Sequence, residues 1–310
     1  MKTLAPFLRL CRLPPVFTAL ADIVLGFLLS HSSLEPLPAF LWLLGASAGL
    51  YLSGMVFNDY FDQRQDAAER ANRPIPSGEI SSRTALIFAC VLMLLGIGCA
   101  YAASLNSLWI ALLLAASILL YDGPLKRTPL GPFFMGTCRF LNVLLGASAV
   151  GIRFGSVWQH PQFWVASCMG TYIVGVTLFA RREATVSSKL SLAVALLVVN
   201  LGLLGLAAWI MNWMESFGML IGTGAVAKPW TVLVLLGVIA LSINRRAIVA
   251  VFDPKPQHVQ PTIGLMLLSV IMLDAMSIYF KLGPQGIPYA IGTACLIAPA
   301  ILLRKWIPLT

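Results

Sequence analysis

Residues 58–78 read N-D-Y-F-D-Q-R-Q-D-A-A-E-R-A-N-R-P-I-P-S-G, the one densely charged stretch of an otherwise apolar chain. Asp59, Asp62 and Asp66 fall at i, i+3 and i+7, which on a continuous helix puts them along one face, and Asn58 joins that face a turn before Asp62. Like charges on one stripe weaken an isolated helix by about 0.2–0.5 kcal/mol per pair unless a cation sits among them. Carboxylate and amide oxygens are hard donors that suit Mg2+ or Ca2+, and Mg2+ takes one or two carboxylates together with phosphate oxygens and water. A solvated helix end is the plain alternative for acids alone. Arg64, Arg70 and Arg73, with the R-P-I-P-S-G turn, weigh against it, because acids and arginines together suit a metal with an anionic ligand.

Four further polar groupings interrupt the apolar sequence. The segment Y-D-G-P-L-K-R-T-P-L-G starts at Tyr121 and offers Asp122, Lys126 and Arg127; a Lys-Arg pair at a helix end can be a simple membrane anchor or an anion ligand. Arg139 and Asn142 stand one helical turn apart inside an apolar run. An arginine at membrane depth is costly and faces an internal cavity or a partner. Asp22 and Asp274 are acids inside apolar runs, the first read as lining a cavity and the second as a structural hydrogen bond. Arg181, Arg182 and Glu183 close another run. The six cysteines show no C-x-x-C pairing, so neither a zinc site nor a disulfide framework is indicated.

These residues must be held by membrane helices. Of 310 residues 59% are hydrophobic and only 11% charged, with mean hydropathy +0.87, against about 25% charged in a soluble domain. Ten apolar runs, at 13–30, 37–57, 84–103, 105–120, 130–150, 162–180, 190–211, 230–251, 261–280 and 287–303, approach the roughly 17–25 residues a crossing needs. The fourth is short, and the tenth carries Pro288 and Pro299. The expected fold class is therefore all-α: a polytopic membrane protein of nine or ten transmembrane helices around a central cavity open to the cytoplasmic side, with 1–310 as a single domain. With the N-terminus inside, all 21 Lys and Arg fall in cytoplasmic segments except Arg139, Arg153, Lys228 and Lys281, as the positive-inside rule requires. That bias accounts for the net charge of +9 without nucleic acid as a partner. Lys2, Arg9 and Arg12 precede the first run with no small-residue cleavage site after it, so the run reads as a first membrane helix.

N-D-Y-F-D-Q-R-Q-D followed by R-P-I-P-S-G resembles the first aspartate motif, N-D-x-x-D-x-x-x-D, and basic turn of the UbiA superfamily of intramembrane prenyltransferases. The hydrophobic organisation agrees over about the first 280 residues, the tenth run being an addition to the usual nine. The run 120–146 looks like the EboC-like branch. The resemblance implies that Asn58, Asp59, Asp62 and Asp66, with Glu183 from the second motif, hold Mg2+ against the diphosphate of a polyprenyl substrate, with Asp59, Asp62 and Asp66 catalytic. It implies that Arg70, Arg73, Lys126, Arg127 and Arg139 bind diphosphate, while Asp22, Tyr121, Asp122 and Asn142 line the cavity or the acceptor side. It places the protein in a lipid bilayer, the bacterial inner membrane. Where the family carries its second acidic motif this chain retains only Glu183, with Ile173 and Ala180 at common aspartate positions; Arg181 and Arg182 then stand as diphosphate counter-charges.

Two functions follow. One is Mg2+-dependent prenyl transfer from a polyprenyl diphosphate to a small-molecule acceptor, aromatic or hydroxylated. The other is a non-catalytic isoprenoid-phosphate binder or transporter, favoured by the depleted second motif.

Overall fold

The computed structural model describes residues 5–151, 154–181, 183, 185–213 and 227–304, and these contain helices and no strand. The chain opens with α1 (Ala5–Cys11) and α2 (Val16–Ser30), bent 54° apart. Pro14 and Pro15 fall at this bend, where Arg12 adopts φ 43°. α3 (Leu37–Phe61) and α4 (Gln63–Glu69) follow, separated at Asp62, whose ψ of 1° lies outside the helical well. Next come α5 (Ser82–Ala103) and α6 (Leu105–Leu120). Each begins at a serine whose hydroxyl accepts from a backbone N–H a turn on: Ser81 from Thr84 (3.1 Å) and Ser104 from Ser107 (3.0 Å), satisfying one orphan donor at the helix start.

α6 runs into a π-helical turn, Tyr121–Leu125, that contains Pro124. Proline has no N–H to give the helix ladder, and the wider turn carries Tyr121 and the buried Asp122. α7 (Gly131–Gly146), α8 (Gln162–Ala180), α9 (Lys189–Ile210) and α10 (Pro229–Phe252) continue the bundle, and α11 (Pro256–Leu282), α12 (Ile287–Cys295) and α13 (Ile297–Arg304) end it.

Among the described residues seven helical segments are long and apolar enough to cross a membrane, or eight if the bent α1–α2 pair is one span. The expected nine or ten are not confirmed by this count. Hydropathy counts apolar residues, whereas crossing needs helix length. The expected span at 130–150 forms only the 16-residue α7, about 24 Å at 1.5 Å per residue. That is short of the roughly 30 Å hydrocarbon core. The expected ninth and tenth spans form one 48-residue apolar stretch, Pro256–Leu303. It is interrupted at Gly283, where φ is +60°. Beyond that break α12 packs against α11 and α13 touches α2, so the stretch turns rather than running straight.

Small residues set the helix crossings. α2 meets α7 at Gly26 and Gly146, where a Cβ on Gly26 would stand 2.1 Å from the Val143 carbonyl. With no hydrophobic drive between helices in lipid, such close backbone approach is what packs them. Outside, leucines and valines such as Leu94, Val234 and Leu241 are two-thirds exposed or more, an apolar surface suited to lipid rather than water. Gly26→Val is expected to push α2 off α7 and cost about 1–3 kcal/mol, read as a lowered thermal midpoint of the detergent-solubilised protein.

Candidate active site

α2, α3, α6, α7, α8 and α11 surround a cavity of about 590 Å3. At one end the C-terminal ends of α3 and α8, α4 with the turn after it, and the π-helical turn after α6 with Lys126 bring charge to it. Deeper, Leu114, Ile118, Met135, Val176, Ile263 and Leu267 make its wall apolar.

The charged end is a set of interlocked ion pairs. Asp59 pairs with Arg12 and, at 3.2 Å, with Arg73. Arg73 also pairs with Asp66 at 2.5 Å. Asp62 instead pairs with Lys126, while Arg127 stands 3.7 Å away. The helix break explains the split. A continuous helix would keep all three acids on one stripe; the non-helical Asp62 points toward the π-helical turn, leaving Asp59 and Asp66 to share Arg73. Asn58 faces the same turn and donates to Asp122 (2.9 Å).

Most expected site residues meet at this cavity. Asn58, Asp62, Asp66, Arg70, Arg73, Tyr121, Asp122, Lys126, Arg139, Asn142, Arg181 and Glu183 all line it. Asp59 lies just behind the wall, 3% exposed. Arg127 does not line it: its side chain is 71% exposed and reaches Gln65 (3.0 Å) beside Asp62. Arg181 reaches the cavity while donating to the carbonyls of Thr128 (3.2 Å) and Arg127 (3.4 Å), so it also ties α8 to the turn before α7. Arg182 lies outside the described residues. Burial pushes the Glu183 carboxyl above its usual range, and the charge of Arg70 pulls the other way.

Among the described residues no three acids, histidines or cysteines stand together as a group that could hold a metal. The cations of the same site occupy the carboxylates instead. The donor chemistry nonetheless fits Mg2+. Asp62 and Asn58 offer hard oxygens to the cavity, and Mg2+ needs only one or two carboxylates when a substrate supplies phosphate oxygens.

Arg12 was missed as a site residue because it reads as an N-terminal anchor, yet it lines the cavity. Ser47, Tyr51 and Gly54 also line it below Asn58; their spacing along α3 is helical, so that face was open to detection. At the inner end Arg139 pairs with Asp22 (2.8 Å) and donates to the hydroxyl (3.2 Å) and carbonyl (3.0 Å) of Thr18. Asn142 donates to Asp22 (2.9 Å) and accepts from Ser47 (2.8 Å). This network joins α2, α3 and α7 below the acidic end.

Residues 19–259 match the family model of the UbiA prenyltransferase family. The chain belongs to this family. It is 38% identical over 117 residues to digeranylgeranylglyceryl phosphate synthase of Methanopyrus kandleri, covering 36% of this chain and 40% of that one. It is 31% identical over 149 residues to the protein of the same name from Saccharolobus solfataricus, covering 47% and 52%. The chain thus spans about half, or less, of the length of these curated relatives. A solved structure concerned with digeranylgeranylglyceryl phosphate synthase in membranes aligns with TM-score 0.65 at 20% identity over 91% of this chain and 99% of that one. A UbiA homolog from Aeropyrum pernix K1 aligns at 0.61 and 17% identity over 94% and 98%. At these identities the likeness is one of fold.

In this UbiA-family chain the α8 wall of the cavity is Ile173, Val176, Thr177, Ala180, Arg181 and Glu183, so acidic charge is concentrated on the α3–α4 side. The buried Asp22–Arg139 pair holds α2 to α7 beneath that side. Arg139→Leu alone should cost about 3–5 kcal/mol by stranding Asp22, and Asp22→Leu added to it should recover most of the loss, as judged by thermal unfolding.

Proposed function

We propose that the protein is a Mg2+-dependent prenyltransferase, which moves a prenyl group from a polyprenyl diphosphate to the hydroxyl of a glyceryl phosphate acceptor in the membrane. The observation that carries this is the convergence of Asp59, Asp62 and Asp66 with Arg12, Arg73 and Lys126 at one end of a cavity whose depth is apolar. A diphosphate needs the first part and a hydrocarbon chain the second. Of the two acceptor classes expected, the name of the relatives supports the hydroxylated one, and those relatives give no support to a bacterial source. The cytoplasmic orientation of the charged end rests on the cation asymmetry of the sequence.

Arg70, Arg73 and Lys126 hold the diphosphate through charge-assisted hydrogen bonds, which for arginine can be bidentate. Asn58 and Asp62, with Asp59 and Asp66, would hold Mg2+, which when bound neutralises charge that builds on the departing diphosphate. The prenyl tail lies along the apolar wall, gaining about 0.8 kcal/mol per buried CH2. That wall also keeps water from the allylic cation left when the carbon–oxygen bond breaks. Tyr121, Asp122 and Asn142 border the space where an acceptor hydroxyl enters; its oxygen bonds to the allylic carbon and its proton passes to the departing diphosphate. Arg181 supplies positive charge on the α8 side.

A non-catalytic isoprenoid-phosphate binder is the second reading, favoured by Glu183 being the lone acid of the α8 wall. Purified protein given labelled geranylgeranyl diphosphate and a glyceryl phosphate acceptor separates the two. The transferase releases diphosphate and forms an ether only with Mg2+, and Asp62→Ala lowers the rate by about 10²–10³-fold, as losing one transition-state charge contact does. Tight lipid binding with no release under any condition would leave the binder.

A further inference from the structure

The motif acids and the cations around them are matched to one another before any ligand arrives. Asp59 holds Arg12 and Arg73, Asp66 shares Arg73, and Asp62 holds Lys126. The side chains of Asp59, Asp66 and Arg73 are 7% exposed or less. The partners come from separate parts of the chain: Arg12 before α2, Arg73 after α4, Lys126 after the π-helical turn. Each of the three motif aspartates is thus occupied by a cation of the same site.

From this pairing we propose that the site takes a metal–diphosphate complex as a unit and binds each half poorly alone, by exchange of ion-pair partners. The proposal rests on the diphosphate reading above. Mg2+ arriving alone would have to displace Arg12, Arg73 or Lys126 from its carboxylate, stranding a cation in a largely buried place, and breaking a buried pair in this way is strongly unfavourable. A diphosphate arriving alone would draw those cations away and leave Asp59, Asp62 and Asp66 repelling one another. When both arrive, the acids turn to the metal and the cations to the phosphate oxygens, so no charge is left without a counter-charge. The two ligands are then coupled, and by linkage each raises the affinity for the other by the same factor.

The test is calorimetry on the full chain in detergent, titrated with MgCl2, with inorganic pyrophosphate in EDTA, and with preformed magnesium pyrophosphate. Mg2+ affinity should rise at least tenfold when pyrophosphate is present. Arg12→Gln and, from a different element, Lys126→Met should each raise the affinity for Mg2+ alone at least threefold while weakening pyrophosphate, which shrinks the coupling. Arg12→Lys should keep it. Mg2+ binding equally tightly with and without pyrophosphate, or unaltered in whichever of the two neutral variants folds, would overturn the proposal. A direct binding arm with geranylgeranyl diphosphate separates the failures: donor bound without coupling sinks only the exchange, and no donor bound with or without Mg2+ sinks the diphosphate reading together with it.

Discussion

Three carboxylates at the end of an apolar helix are held in place by cations that the rest of the chain must deliver. Asp59 and Asp66 lie on α3 and α4 and Asp62 at the break between them, and their counter-charges Arg12, Arg73 and Lys126 arrive from three other segments. Ions withdrawn from water have no other way to recover their solvation than to meet opposite charge at close range. Much of the local architecture meets that requirement. The bend between α1 and α2 lets Arg12 reach Asp59, the turn after α4 brings Arg73 back over Asp66, and the π-helical turn sets Lys126 against Asp62. One constraint therefore orders the segments at this end of the bundle.

The inner network answers the same constraint at greater depth. Arg139 and Asp22 are both nine-tenths buried or more, and Thr18, Asn142 and Ser47 take up hydrogen-bonding capacity around them. Because α3 carries Ser47 in this network and Asn58 and Asp59 at its end, the network fixes the height and rotation of the helix that presents the acids. The glycine contact of Gly26 with Gly146 draws α2 and α7 close enough for it to form. Packing, buried charge and site geometry are linked here through a single helix.

The all-helical class and most helix positions were legible in the sequence because both follow from apolar runs. The lengths of the individual helices were not. Residues 130–150 are apolar, but Gly131 and Pro132 at the start of α7 and the stop near Ala147 shorten the helix, and the turn at Gly283 depends on contacts between α11, α12 and α2 that no local pattern encodes. The site was legible to a similar degree. Asp59, Asp62 and Asp66 were visible from spacing, and Arg139 with Asn142 from their cost in an apolar run. Arg12 was hidden because an anchor and a ligand look alike at a helix end. The pairing of Asp59, Asp62 and Asp66 with cations was hidden too, since it depends on how α3, α4 and the π-helical turn bend toward one another at Asp62.

That bend bears on how a ligand would be seated. The α3–α4 side offers acids already balanced by cations, whereas the α8 side offers Ile173, Val176 and Ala180 with Arg181 and a half-buried Glu183. An anion entering between them meets positive charge on both sides but carboxylates in strength on one only. On the proposed reading, a divalent cation accompanying the anion would meet oxygens at Asn58 and Asp62, and Arg181 would face the anion from the other side. The ligand's charge would then run along the line from α8 to α3, and the apolar residues of α8 would pack along the chain the anion carries rather than shield a second cation.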